Sequence, residues 1–109
     1  VFIRCIFKFK FSKIDYIIEY IDLTNPKILL TYSDNDILFY KIKKLSKKKF
    51  LTFAVQNGIR TITGDIFEKL YKSNKKFQLS SDWILTFNKK IGSEYQSFYQ
   101  IMQIIILNL

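Results

Sequence analysis

Three short apolar runs, each closed by a polar cluster and separated by segments of helical period, constrain this chain more than any other feature. The middle run, Phe50-Leu51-Thr52-Phe53-Ala54-Val55, is too short for a helix. It enters Gln56-Asn57-Gly58-Ile59-Arg60, an Asn-Gly turn signal followed almost at once by an arginine. A buried strand reads this way. Gly58 lacks a Cβ, so it can take φ > 0 and admit a ligand close to the backbone. The first run, Lys27 to Tyr32, leads into Ser33-Asp34-Asn35-Asp36. The third, Trp83 to Phe87, leads into Asn88-Lys89-Lys90.

Helical segments fill the intervals. Ile14, Ile17, Ile18 and Ile21 recur at i, i+3, i+4 and i+7, which predicts a helix over 13–23. Ser12 is placed to cap it, with Asp15 as the capping-box partner. Thr24-Asn25-Pro26 ends it, because a residue before proline is pushed out of helical ψ. A second helix is expected over 37–45, with Leu38, Ile42 and Leu45 inward and Lys41, Lys43 and Lys44 outward. A short one is expected over 66–71, with Asp65 as its cap. A longer one runs from Ser93 or Glu94 to about Gln103, facing inward through Tyr95, Phe98 and Met102. The stretch 104–107 is either a fourth strand or a frayed remnant. The first 13 residues fit an edge strand and a basic amphipathic helix equally well, since Phe7, Phe9 and Phe11 alternate with lysines while Phe7 and Phe11 also lie one turn apart.

Strands alternating with helices imply crossover connections and a parallel sheet. The expected fold is an α/β, Rossmann-like parallel sheet of three to four strands with flanking helices. It is read as a single partial domain over 1–109: an N-terminal basic or amphipathic segment and helix over 1–24, then a βαβαβα core over 25–109. Ligands of such sheets sit beyond the carboxyl ends of the strands. The three polar clusters should therefore converge on one edge.

The net charge of +9, from 18 basic and 9 acidic residues, would attract nucleic acid, an anionic membrane face or phosphate-bearing substrates. A small basic nucleic-acid-binding module is the alternative function. Against it, the aromatic residues fall mostly on apolar faces, and no RNA-recognition or zinc motif is present. Histidine is absent and Cys5 is the only cysteine, which removes His/Cys zinc sites, Ser-His-Asp and Cys-His catalysis, and an internal disulfide. No run reaches the ~18 apolar residues of a membrane span. No metal and no cofactor is expected.

Three segments together resemble one family. Leu29-Leu30-Thr31-Tyr32-Ser33-Asp34-Asn35 with Phe39-Tyr40-Lys41, then Val55-Gln56-Asn57-Gly58-Ile59-Arg60 with Gly64-Asp65-Ile66-Phe67, then Asp82 to Gly92, are similar in order and spacing to segments of the surface carbohydrate biosynthesis transferases of bacteria. The resemblance covers roughly residues 25–95. It implies part of one lobe of a two-lobed glycosyltransferase-like enzyme of lipopolysaccharide or envelope-glycan assembly. The implied partners are a nucleotide-linked sugar or a glycan acceptor, in the cytoplasm or at the inner face of the membrane. Separately, the basic and apolar first 13 residues read either as a peripheral contact with an anionic membrane or as a solvated edge of a larger domain. It implies Asp34 as a hydrogen-bond acceptor or general base, with a helix cap as the alternative role for that residue. It also implies Asn35, Gln56, Asn57, Gly58, Arg60 and Asp65 as donor- or substrate-binding residues. Without a second lobe the chain is expected to be inactive alone.

Overall fold

The apolar runs and helical periods become α1 (Phe2–Phe7), α2 (Lys13–Thr24), β1 (Ile28–Thr31), α3 (Ile37–Leu45), β2 (Leu51–Val55), α4 (Ile66–Ser73), β3 (Leu79–Thr86), α5 (Lys89–Phe98) and β4 (Tyr99–Ile106). The structure, a computed structural model, describes residues 1–9, 11–61, 63–73 and 79–107. Local chemistry sets several boundaries. Ser12 Oγ accepts from the Asp15 amide at 3.2 Å while Asp15 Oδ2 accepts from the Ser12 amide at 3.3 Å, so the expected capping box starts α2. Asn25 closes α2 in the left-handed region, at φ 49°, just before Pro26.

The strands form one sheet in the order β1-β2-β3-β4, every neighbouring pair parallel. The chain is thus an α/β, Rossmann-like arrangement with four strands. Right-handed crossovers between strands laid down in chain order place α3, α4 and α5 on the same face. Burial agrees. Thr52, Ala54, Gln56, Asp82, Ile84 and Thr86 are buried on that face, within a core that includes Phe39, Tyr40, Phe67, Tyr95 and Phe98. Tyr40 and Tyr99 stack at 4.4 Å, and Phe67 meets Tyr95 edge-on at 5.0 Å. The alternate residues Phe53, Val55, Trp83 and Leu85 are half-buried, and Leu30 and Leu51 are exposed. The expected flanking helices therefore flank one face of the sheet.

Several boundaries and faces differ from expectation. Strand β3, expected over 83–87, runs from Leu79 to Thr86. Helix α5 begins at Lys89, because Asn88 Oδ1 caps it by accepting from the Ile91 amide at 3.0 Å. It ends at Phe98, where β4 starts without a loop. Tyr99 and Met102 consequently lie in a strand, and Met102 is 72% exposed instead of facing inward. The β-favouring residues from Tyr99 to Ile106 find a parallel partner in β3, which the helical spacing of Tyr95, Phe98 and Met102 conceals. In α3 the buried residues are Phe39, Tyr40 and Ile42, whereas Leu45 is exposed. Its Lys43 forms an ion pair with buried Asp82 in place of projecting into water.

Of the two readings of the first residues, the helix is realised. Helix α1 buries Cys5 and rests on α2 through Arg4 and Lys8, whose side chains lie 3.6 and 2.6 Å from the buried Glu19 carboxylate. Among the described residues, no helix is long and apolar enough to cross a membrane. Gly92 marks where α5 meets the sheet most closely. A Cβ there would stand 3.1 Å from Ile104 Cγ2 and 3.3 Å from Thr86 Oγ1, so the helix approaches through its backbone.

Candidate functional site

Parallel strands bring the ends of β1, β2 and β3 to one edge, and the chain turns sharply at each. After β1, the Ser33 amide donates to Thr31 Oγ1 at 3.0 Å and the Asp36 amide to Ser33 O at 2.9 Å. Asp36 Oδ1 then accepts from the Leu38 amide at 3.0 Å and caps α3. The cap role belongs to Asp36, which frees Asp34 to turn inward, where it is fully buried.

Both carboxylate oxygens and the main-chain carbonyl of Asp34 accept hydrogen bonds. Oδ1 accepts from the Asn57 amide at 3.2 Å and from Arg60 Nη2 at 2.5 Å. Oδ2 accepts from Arg60 Nε at 2.8 Å and from the Tyr95 hydroxyl at 2.5 Å. Its main-chain carbonyl accepts from the Tyr40 hydroxyl at 2.6 Å. Arg60 is as fully engaged, with a side chain only 7% exposed. Nη2 also donates to Asn57 Oδ1 at 2.7 Å, and Nη1 lies 3.6 Å from Asp65 Oδ2. The bidentate guanidinium–carboxylate geometry is the one that Arg, and not Lys, provides.

The electrostatics follow from this packing. The hydrogen bond to Asp34 raises the Arg60 pKa, against the opposing effect of burial. Burial, then the hydrogen bond to Asp34, pushes the Tyr95 phenol up; burial foremost does the same for Tyr40 and Tyr99. All three tyrosines stay protonated at neutral pH, so Tyr40 and Tyr95 act as donors. As arranged, Asp34 anchors Arg60 and the loop after β2, and a proton-accepting role would require Arg60 or Tyr95 to release it.

The other expected site residues divide into two groups. Asn57 and Asp65 join Asp34 and Arg60 directly. Gln56 is buried and bridges strand ends: its Nε2 donates to Gly58 O at 2.7 Å, and its Oε1 accepts from the Phe87 amide at 2.9 Å. Asp65 Oδ1 also accepts from the Ile66 amide at 2.7 Å, at the start of α4. Asn35 is exposed at the rim. Gly58 is not in the left-handed region and a Cβ there would meet nothing within 4 Å; the left-handed glycine is Gly64, at φ 75°. Arg60 likewise turns its donors inward, which leaves Asn35 and Asn57 as the exposed polar side chains among the expected site residues.

Tyr40 and Tyr95 are the members that sequence reasoning missed. Tyr40 lies in the Phe39-Tyr40-Lys41 segment and Tyr95 on the inner face of α5, and neither position alone assigns a role. Tyr95 meets Asp34 across 61 residues, beyond any local signal, whereas Tyr40 meets the Asp34 carbonyl from only six residues away. A cavity of about 410 Å³ lies away from this edge, between α3 and α4, with Ile37, Lys41, Leu45, Lys69 and Leu70 among its lining. Among the described residues, no group of three or more His, Cys, Asp or Glu side chains could hold a metal ion.

Residues 53–106 match the model of a family described as "putative O-antigen biosynthesis protein". The match runs from β2 through β4 and includes Gln56, Asn57, Arg60, Asp65 and Tyr95. This links the chain to surface carbohydrate biosynthesis. Asp34 lies outside the matched residues. No curated protein and no solved structure matches the chain.

Proposed function

We propose that this chain forms a donor-binding edge in a glycosyltransferase-like step of surface carbohydrate biosynthesis, with a nucleotide-linked sugar as its ligand. The observation that carries the reading is the convergence of Asp34, Asn57, Arg60 and Asp65 beyond the carboxyl ends of a parallel sheet, where ligands of such sheets sit. The family match over 53–106 supplies the biosynthetic context.

In this proposal the buried Asp34–Arg60 pair holds the loop after β2 rigid, which lowers the entropic cost of binding. Asn35 and Asn57 hydrogen-bond sugar hydroxyls, and the backbone near Gly58 and Ile59 approaches the donor. Such donors place the step in the cytoplasm, at the inner face of the membrane.

Titration of the ¹⁵N-labelled chain with UDP-, GDP- and CDP-linked sugars tests this. One of them should shift the amides of Asn35, Asn57 and Gly58, and Asn57→Ala should weaken that response about tenfold, or ~1.4 kcal/mol. Shifts confined to the groove between α3 and α4, or none with any donor, would sink the proposal.

A further inference from the structure

The sheet face opposite α3, α4 and α5 carries Leu30, Leu51, Phe53, Val55, Trp83 and Leu85 in adjacent registered strands. Leu30 is 53% and Leu51 43% exposed, while the four others remain half-buried. A wholly parallel sheet is ordinarily covered on both faces, because its strands are apolar on both. Here one cover is missing among the described residues, and the uncovered residues are as apolar as those beneath the helices.

Dimensions and charge narrow what fits. Four strands about 4.8 Å apart give a face ~19 Å wide, which is two helices side by side at ~10 Å each. With strands of four to eight residues the face is ~13–26 Å long, the length of a helix of roughly 9–17 residues. Two copies of the chain, each at +9, would repel. Both ends of the strands are basic: Lys27, Lys47, Lys48 and Lys49 are exposed at the amino edge, and Lys89 and Lys90 at the carboxyl edge. Nearby acids are engaged internally, Asp34 and Asp65 by Arg60 and Asp36 as a cap.

We propose that this open face docks a partner polypeptide through a pair of amphipathic helices, apolar toward Phe53 and Trp83 and acidic at both ends where they meet the lysines. The same exposed surface raises the question of nucleic acid or membrane. Phe53 and Trp83 lie parallel, 3° apart with centroids at 5.6 Å, so each already uses one ring face on the other and offers little stacking platform to bases. A flat face with basic ends fits helices lying along the strands better than it fits a bilayer, which favours an amphipathic helix in its interface.

Trp83 is the only tryptophan and therefore reports on this face alone. The probe is a synthetic helical hairpin with a leucine stripe and glutamates at both ends, added to the full chain. Trp83 emission should shift to the blue saturably, and 0.5 M NaCl should weaken binding about tenfold or more. Leu30→Lys and Leu85→Lys, each checked for native circular dichroism, should abolish the shift, whereas Lys41→Glu in the α3–α4 groove should leave it intact. Equal binding of a lysine-ended hairpin, or a shift that survives Leu30→Lys and Leu85→Lys, overturns the proposal. So does a comparable response to oligo-dT or phosphatidylglycerol vesicles, or a concentration-dependent shift of the chain alone that marks a second copy as the cover.

Discussion

Asp34 and Asp82 are both buried, yet the fold neutralises them in different ways. Asp34 stands beyond the end of β1, held by a guanidinium that is itself buried, by a backbone amide and by a tyrosine. Asp82 lies inside β3, where Oδ2 accepts from the Thr52 amide at 2.8 Å and from Thr52 Oγ1 at 3.0 Å and meets Lys43 from α3. Lys43 keeps about a third of its side chain in water. One carboxylate fastens three loops and helices at the edge where ligands bind. The other fastens one helix to a strand pair with a cation that can still reach solvent. The difference teaches that a buried acid stakes the fold on its partner only as far as that partner is buried too.

Breaking the first pair should cost most. Asp34→Asn strands Arg60 with only Asp65 for charge compensation, and urea unfolding should show a loss of about 3–5 kcal/mol. An effect under about 1 kcal/mol would mean that the edge is held by packing alone. Asp82→Asn should cost less, about 1–3 kcal/mol, because Lys43 can swing into water while Thr52 retains an amide partner. Equal losses for the two variants would erase the contrast.

Tyr95→Phe sharpens it further. Removing one donor to Asp34 Oδ2 should cost about 1 kcal/mol, and in an Asp34→Asn background much less, a coupling that a double-mutant cycle reads directly. The smallest effect is a pH dependence. Burial pushes the Asp82 carboxyl up, but its hydrogen bonds to Lys43 and to the Thr52 amide and hydroxyl, with the Lys43 charge, together hold it below the usual range. A group whose folded pKa is depressed contributes stability above its unfolded value, near ~4, and loses it as pH falls through the folded value. The stability gap between the parent chain and Asp82→Asn should therefore be widest near neutrality and narrow below about pH 4. A gap that widens on acidification would reverse the assignment.

Much of this was written locally in the chain. The Ser12–Asp15 box, the Asn25-Pro26 stop and the polar ends of three apolar runs each announce themselves within a few residues. The convergence at the carboxyl edge follows once those runs are read as parallel strands. What local pattern misses is any feature decided by a distant partner. Tyr95, Phe98 and Met102 keep helical spacing, yet β3 takes the chain from Tyr99 onward into a strand. Lys43 resembles its neighbouring lysines until Asp82 is placed beside α3. The one-sidedness of the sheet is hidden for another reason: Phe53 and Val55 are no less apolar than Ala54, so composition along β2 does not tell the covered face from the open one.

The sequential strand order has a consequence for how the molecule comes into being. Every sheet partner is the next strand along the chain, with Ile28 paired to Leu51, Phe53 to Trp83 and Leu79 to Tyr99. No strand must wait for a later one to insert beside an earlier neighbour. As the ribosome extends the chain at roughly 5–20 residues per second, the sheet can be laid down from β1 outward in the order of translation. The Asp34–Tyr95 contact closes only when α5 emerges, with β1, β2 and β3 already made and β4 still to follow, and so latches the first three strands before the sheet is complete.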